Sequence, residues 1–82
     1  MHVYMRWYED GQPKGNSQRM DSESEARTAV LARFPMATFS ERSRTVHQPG
    51  SYLAGIDEVI YAWPGARIPG LHPVAEILFP TN

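Results

Sequence analysis

One segment of this chain has the pattern of an amphipathic helix, and it limits the fold more than any other feature. Ser22 and Glu25 form an S-x-x-E capping box, in which each side chain can bond a free backbone amide at the helix start. Residues of one helical stripe then recur at Ala26, Ala29, Val30, Arg33 and Phe34. Pro35 ends the pattern, because the residue before a proline is disfavoured in the helical region. We therefore predict one helix at residues 22–34.

The other patterned segments have the period of β-strands. Residues 2–8 alternate, so that Val3, Met5 and Trp7 share one face of a half-buried strand. Further strands are predicted at 37–46, at 58–63, which is apolar on both faces and therefore more central, and at 74–79. Dense turn formers predict a solvated loop at 9–16 and a turn at 48–51, whereas the pattern of a return strand near 18–20 is faint.

One helix and several strands predict an α+β fold. The single helix would pack on one face of a mostly antiparallel sheet of three to five strands, in the order β-α-β-β-β.

A chain of 82 residues has room for a single domain, 1–82. It contains no cysteine, which excludes disulfides and thiolate metal sites. Stability must therefore come from the core, from a partner chain or from both.

Side chains that perform catalysis or bind metals are present without the spacing that these functions need. His2, His47 and His72 are far apart, whereas a zinc site needs three or four converging ligands. No serine lies in a G-x-S-x-G turn, and no glycine-rich loop has the spacing of a phosphate-binding loop. We therefore expect no metal, no cofactor and no enzyme activity, and a small enzyme or enzyme subunit is kept as an alternative.

The segment 64–73 contains three prolines and two glycines, which excludes a regular helix or strand. Large apolar residues lie in or beside it at Trp63, Ile68 and Leu71, with Arg67 between them. These side chains either fold back onto the core or contact a partner. Tryptophan and arginine are enriched at binding hot spots, and prolines lower the entropy lost on binding. We predict that this loop contacts a protein partner.

Seven of the eight basic residues are arginine. Arg42 and Arg44 share a face of the predicted strand 37–46, where they suit a phosphate or a carboxylate, and we include them in the predicted partner site. A similar stripe on the first strand consists of Tyr4, Arg6 and Tyr8. If the two strands are neighbours, these five residues form an aromatic and basic platform for nucleic acid. A solvated sheet face is the simpler interpretation, and the net charge of −1 argues against an electrostatic DNA coat.

The last predicted strand, 74–79, carries one charge, that of Glu76. If this strand is a sheet edge, a second copy of the chain could pair with it and form a homodimer.

The chain has neither the pattern of a secretory signal nor an apolar run of membrane-spanning length. We therefore expect a cytoplasmic protein without membrane contact.

In general build, the chain resembles the small accessory proteins of phages and other mobile elements of bacteria, anti-CRISPR proteins among them. The resemblance rests on the SESEARTAVLARFP helix, the VIYAW strand and the VAEILF ending. It implies a non-catalytic protein that binds and blocks a host machine, such as a nucleoprotein complex, and it transfers no residue role. The sequence thus predicts a protein-binding module of the phage- or plasmid-type inhibitor class, with a small nucleic-acid-binding module as the first alternative.

Overall fold

Two long strands joined by a tight turn begin the fold, for which the computed structural model describes residues 1–45 and 55–81. Strand β1 spans Val3–Glu9, strand β2 spans Gln12–Met20, and the two pair antiparallel. Asp10 and Gly11 connect them, and both have positive φ, as a two-residue type I′ turn requires. The predicted loop at 9–16 is therefore wrong, because only these two residues form the turn and the chain from Gln12 onward is extended.

The helix α1 spans Glu23–Arg33, within the predicted range. The Ser22 hydroxyl accepts a hydrogen bond from the amide of Glu25 at 3.1 Å, which confirms Ser22 as the N-cap. The carboxylate of Glu25 accepts from the amide of Asp21 at 3.3 Å, one residue earlier than the capping box predicts. Phe34 ends the helix directly before Pro35.

Four more strands complete one antiparallel sheet and confirm the predicted α+β class. They are β3 (Thr38–Phe39), β4 (Ser43–Arg44), β5 (Ile56–Trp63) and β6 (Ala75–Pro80). Within the described residues the sheet has six strands, in the order β2-β1-β6-β5-β3 with β4 also paired to β5. The predicted number and order differ, because β2 precedes the helix and the predicted strand 37–46 is interrupted. Residue 46, which ends that predicted strand, and the predicted turn at 48–51 lie outside the described residues.

Strand β6 lies in the middle of the sheet, between β1 and β5. All five residues from Ala75 to Phe79 are buried. The prediction that this segment could be a sheet edge is therefore wrong, and the homodimer that rested on it has no free strand there. The edges of the described sheet are β2 on one side and the two-residue strands β3 and β4 on the other. Strands as short as β3 and β4 offer little backbone for pairing with another chain.

Strands β5 and β6 are buried on both faces of the sheet, although α1 covers only one. On the helix side, the predicted stripe of β1 packs with α1, β5 and β6 in a core that contains Val3, Met5, Ala26, Val30, Ile60, Ala62, Ala75, Ile77 and Phe79. On the helix-free side, Ile56, Val59 and Leu78 form a smaller cluster, against which Tyr4 and Tyr61 pack. Burial on both faces explains why most residues of β5 and β6 are apolar, and it confirms the central position predicted for β5.

Substitution at Gly11 should destabilise the fold more than the same change at Gly15. A Cβ on Gly11 would lie 2.8 Å from the ring of His72, whereas one on Gly15 would meet nothing within 4 Å. Both glycines have positive φ, so backbone strain alone should cost about 1 kcal/mol in each alanine variant. Gly11→Ala should lower the free energy of unfolding by about 1–3 kcal/mol more through the steric clash. Urea denaturation of both variants checks this, and equal losses would contradict it.

Candidate functional site

The segment between β5 and β6 is irregular, as predicted, and several contacts hold it in place. The Thr38 hydroxyl donates to the carbonyl of Gly65 at 2.7 Å, near the start of the loop. The indole Nε1–H of Trp63 donates to the carbonyl of Leu71 at 3.1 Å. The ring of His72 lies against Gly11 in the β1–β2 turn. The loop is therefore anchored to β3, β5 and the first turn, although it contains no regular structure.

The anchored loop surrounds an open cavity of about 380 Å³. We call its lining the 63–71 surface, which consists of Trp63, Arg67, Ile68, Pro69, Gly70 and Leu71. Trp63 is buried, whereas 61% of Ile68 and 40% of Leu71 are exposed. The amide of Leu71 donates to the carbonyl of Ile68 at 3.0 Å, which closes a turn at the loop tip. Trp63 thus folds back onto the protein, while the two aliphatic side chains are presented to solvent.

The structure places four of the predicted partner-binding residues together on this surface. Trp63, Ile68 and Leu71 line the cavity, and the guanidinium carbon of Arg67 lies 4.0 Å from the centre of the Trp63 ring. Stacking of this kind holds a guanidinium in a defined plane while its N–H groups stay at the edge of that plane. The surface therefore combines exposed apolar area with a positive charge that lies over the indole ring.

Arg42 and Arg44 lie elsewhere. The Nε of Arg42 donates to Glu58 at 2.8 Å, and its guanidinium carbon lies 3.7 Å over the ring of Phe79. Arg44 pairs opposite Glu58 in the β4–β5 ladder, and Phe79 pairs opposite Glu58 from β6. Because Phe79 belongs to the helix-side core, both arginines lie on that side of the sheet.

The structure does not support the predicted nucleic-acid platform. Strands β6 and β5 separate β1 from β4, so the two stripes are not neighbours. Tyr4 packs on the helix-free side, opposite to the side on which Arg42 lies. The continuous alternation assumed for 37–46 fails because the chain leaves the strand conformation between Phe39 and Ser43. The five residues of that prediction are consequently distributed over both faces.

Sequence reasoning missed the role of Glu76, which is fully buried at the centre of the sheet. The Tyr8 hydroxyl donates to its Oε1 at 2.6 Å, and Arg6 lies opposite it in the β1–β6 ladder. Burial and, secondly, the charge of Glu76 raise the pKa of the Tyr61 hydroxyl. The available signal is a single carboxylate within an apolar strand, because a charge is buried only when partners stabilise it. Arg6 and Tyr8 of the predicted stripe thus lie beside a buried carboxyl group, whereas Tyr4 lies opposite Leu78.

The described residues contain no group of three or more side chains suited to hold a metal ion. His2 lies edge-on to Tyr4, with ring centres 5.2 Å apart, His72 lies against Gly11, and His47 falls outside the described residues. Within the same ranges, no helix is both long and apolar enough to cross a membrane.

No protein-family model matches the chain, and neither the curated proteins nor the solved structures include a significant match. The resemblance to accessory proteins of mobile elements therefore stays a prediction.

Trp63→Phe should loosen the loop, because it removes the N–H group that donates to Leu71. Loss of this hydrogen bond should lower the free energy of unfolding by about 1 kcal/mol. The local effect should be faster hydrogen exchange at the Leu71 amide than in the wild type. Trp7→Phe is the matched control, because Trp7 packs against the helix-side core. Unchanged exchange at Leu71 in the Trp63 variant would show that the indole does not anchor the loop.

The stability of the protein should fall as the pH rises above 10. In the unfolded chain the Tyr61 hydroxyl ionises near pH 10, the ordinary pKa of tyrosine, whereas the raised pKa keeps the hydroxyl protonated in the folded state. Because the folded state then binds more protons than the unfolded state, the free energy of unfolding decreases through this range. Tyr61→Phe should reduce that decrease, and Tyr4→Phe should retain it because Tyr61 is still present. Urea denaturation across this pH range tests the assignment, which equal slopes in wild type and Tyr61→Phe would refute.

Proposed function

We propose that the protein is a non-catalytic protein-binding module and that the 63–71 surface contacts its partner. The observation that carries this proposal is the exposure of Ile68 and Leu71 beside the cavity on an anchored loop. Exposed apolar area rimmed by polar groups is typical of interaction sites. Arg67 and the indole of Trp63 add the two residue types most enriched at binding hot spots.

The anchors of the loop support the proposal because they reduce the cost of binding. The bonds from Thr38 to Gly65 and from Trp63 to Leu71 hold both sides of the loop before any partner arrives. Pro64, Pro69 and Pro73 further restrict its backbone. A surface that is ordered in the free protein loses less conformational entropy on association than a mobile loop does.

The mode of action that we propose is occupation of a partner's surface. The cavity of about 380 Å³ is in the range of small binding pockets and can receive a large side chain of the partner. Together with the resemblance to phage and plasmid accessory proteins, this favours an inhibitor that blocks a host machine in the manner of anti-CRISPR proteins. The alternative of a nucleic-acid-binding module has no comparable support, because its residues lie on opposite faces of the sheet.

The double variant Ile68→Ser, Leu71→Ser should lose its partner while it keeps its stability. The immobilised wild-type chain and the variant are incubated with nuclease-treated bacterial lysate, and retained proteins are identified by mass spectrometry. Proteins that bind through the 63–71 surface should be retained by the wild type and depleted at least about tenfold on the variant, because two exposed anchors are removed. The melting temperature should change little, since both side chains are exposed in the free protein.

The matched control is Leu31→Ser, Met36→Ser, which removes apolar side chains that are 39% and 78% exposed outside this loop. It should retain the same proteins as the wild type. Equal retention by both double variants would contradict the proposal, as would a large loss of stability in the loop variant. A parallel incubation uses untreated lysate, and retention of proteins from the untreated lysate alone would instead favour nucleic acid as the ligand.

A further inference from the structure

Arginine side chains of the described residues lie over aromatic rings at several places, and some of these stacks also contain an ion pair. Arg42 is one example. Its guanidinium carbon lies 3.7 Å from the centre of the Phe79 ring, and its Nε donates to Glu58 at 2.8 Å. The guanidinium of Arg42 thus lies over an aromatic ring while its Nε binds a carboxylate.

Arg27 repeats this arrangement on α1. Its guanidinium carbon lies 4.7 Å from the centre of the Phe39 ring, and its Nε donates to Glu23 at 2.9 Å. A planar guanidinium can serve a ring and a carboxylate at once, because its π-face and its N–H groups point in different directions. The same combination of ring, arginine and carboxylate is therefore built twice into this small fold.

Arg67 lies over an aromatic ring but is not bound to a carboxylate of the described residues. Its guanidinium carbon lies 4.0 Å over Trp63, and no described acidic residue forms an ion pair with it. Residues 64–74 contain no aspartate or glutamate, so Arg67 carries the only formal charge of the loop. Arg33 is also stacked, over Trp7, but it lies in the last turn of α1, where the helix dipole favours a positive charge.

We propose that Arg67 and Trp63 form a carboxylate-binding site that an aspartate or glutamate side chain of the partner protein completes. This inference rests on the proposed function and specifies the chemistry of the partner. A guanidinium that lies over an indole can still offer two N–H groups to a carboxylate, which is the two-point contact that arginine makes best. The charge complementarity identifies the partner surface as acidic.

The cavity beside Arg67 and Trp63 determines which kind of partner residue can lie next to the bound carboxylate. Ile68, Leu71 and Trp63 line it together with Arg67, so a residue next to the bound carboxylate would find apolar walls. An aliphatic or aromatic side chain of the partner fits this environment, and its burial would exclude water from the ion pair and strengthen it. The partner segment is therefore an acidic residue adjacent to a large apolar residue.

Blocked peptides test this chemistry directly. An N-acetylated, C-amidated peptide that alternates glutamate with leucine supplies side-chain carboxylates only, and the same peptide with glutamine removes the charge. Titration is followed through the indole N–H signals in two-dimensional NMR spectra. The Trp63 signal should shift with the glutamate peptide, with a Kd at least about tenfold lower than for the glutamine peptide. Trp7 lies against the helix-side core and is the internal reference, whose signal should stay in place.

Variants at Arg67 test whether its guanidinium is the group that binds the carboxylate. Arg67→Ala should weaken the glutamate peptide to the level of the glutamine peptide. Arg67→Lys should recover part of the affinity, because lysine supplies the charge without the planar fork. Arg33→Ala is the matched control, since it removes another stacked arginine and should leave the Kd unchanged. Circular dichroism of each variant verifies that it is folded.

Equal affinity for the two peptides, unchanged affinity in Arg67→Ala, or no shift of Trp63 up to about 10 mM peptide would overturn the carboxylate assignment. The lysate experiment separates this failure from failure of the proposed function. If Ile68→Ser, Leu71→Ser loses the retained protein while Arg67→Ala keeps it, the binding function stands and the carboxylate site does not. If the apolar double variant keeps the protein, the binding function itself fails.

Discussion

The pairing of β6 with both β1 and β5 is the interaction on which the rest of the structure depends. β1 begins at Val3 and β6 ends at Pro80, so their pairing joins parts of the chain that are far apart in sequence. The amide of Tyr8 donates to the carbonyl of Val74 at 2.8 Å, and the amide of Val74 donates to the carbonyl of Ala62 at 2.7 Å. Val74 thus joins the ends of β1 and β5 at the exit of the loop. The position of the 63–71 surface is consequently a result of this sheet order.

The preference for arginine has a structural reason for several arginines of the described residues. Arg27, Arg33, Arg42 and Arg67 each lie over at least one aromatic ring. A chain of 82 residues cannot enclose every large ring completely, because a small domain has little interior relative to its surface. A guanidinium covers the exposed side of a ring while its own N–H groups stay hydrated or paired, which an ammonium does less well. Arginine side chains thus cover aromatic rings at the margin of the core that would otherwise be exposed to water.

The sequence predicts the elements whose signals are local. Ser22 and Pro35 bracket α1, and the alternation from Val3 to Trp7 identifies the buried face of β1, because caps and side-chain period depend on neighbours in the chain. The position of β6 was not predictable in the same way. A strand that is apolar on both faces fits either an edge covered by a partner or the centre of a sheet, and only non-local pairing decides between them. The first hairpin was predictable in principle, since Asp10-Gly11 is a strong type I′ signal among weaker turn formers.

The candidate site follows the same division. The prolines and glycines of 64–73 exclude regular structure, and that exclusion correctly identifies a loop with large apolar residues. Arg42 and Arg44 could not be placed from sequence, because the chain leaves the strand conformation between Phe39 and Ser43. When the strand resumes, the alternation of its side chains between the two sheet faces is reversed.

The loop also separates two roles that residue type alone does not distinguish. Trp63 is buried and holds the loop, whereas Ile68 remains 61% exposed and contributes little to the core. Apolar area kept in water on an ordered loop contributes little to folding, and in the binding function proposed for this loop its burial against the partner would lower the free energy.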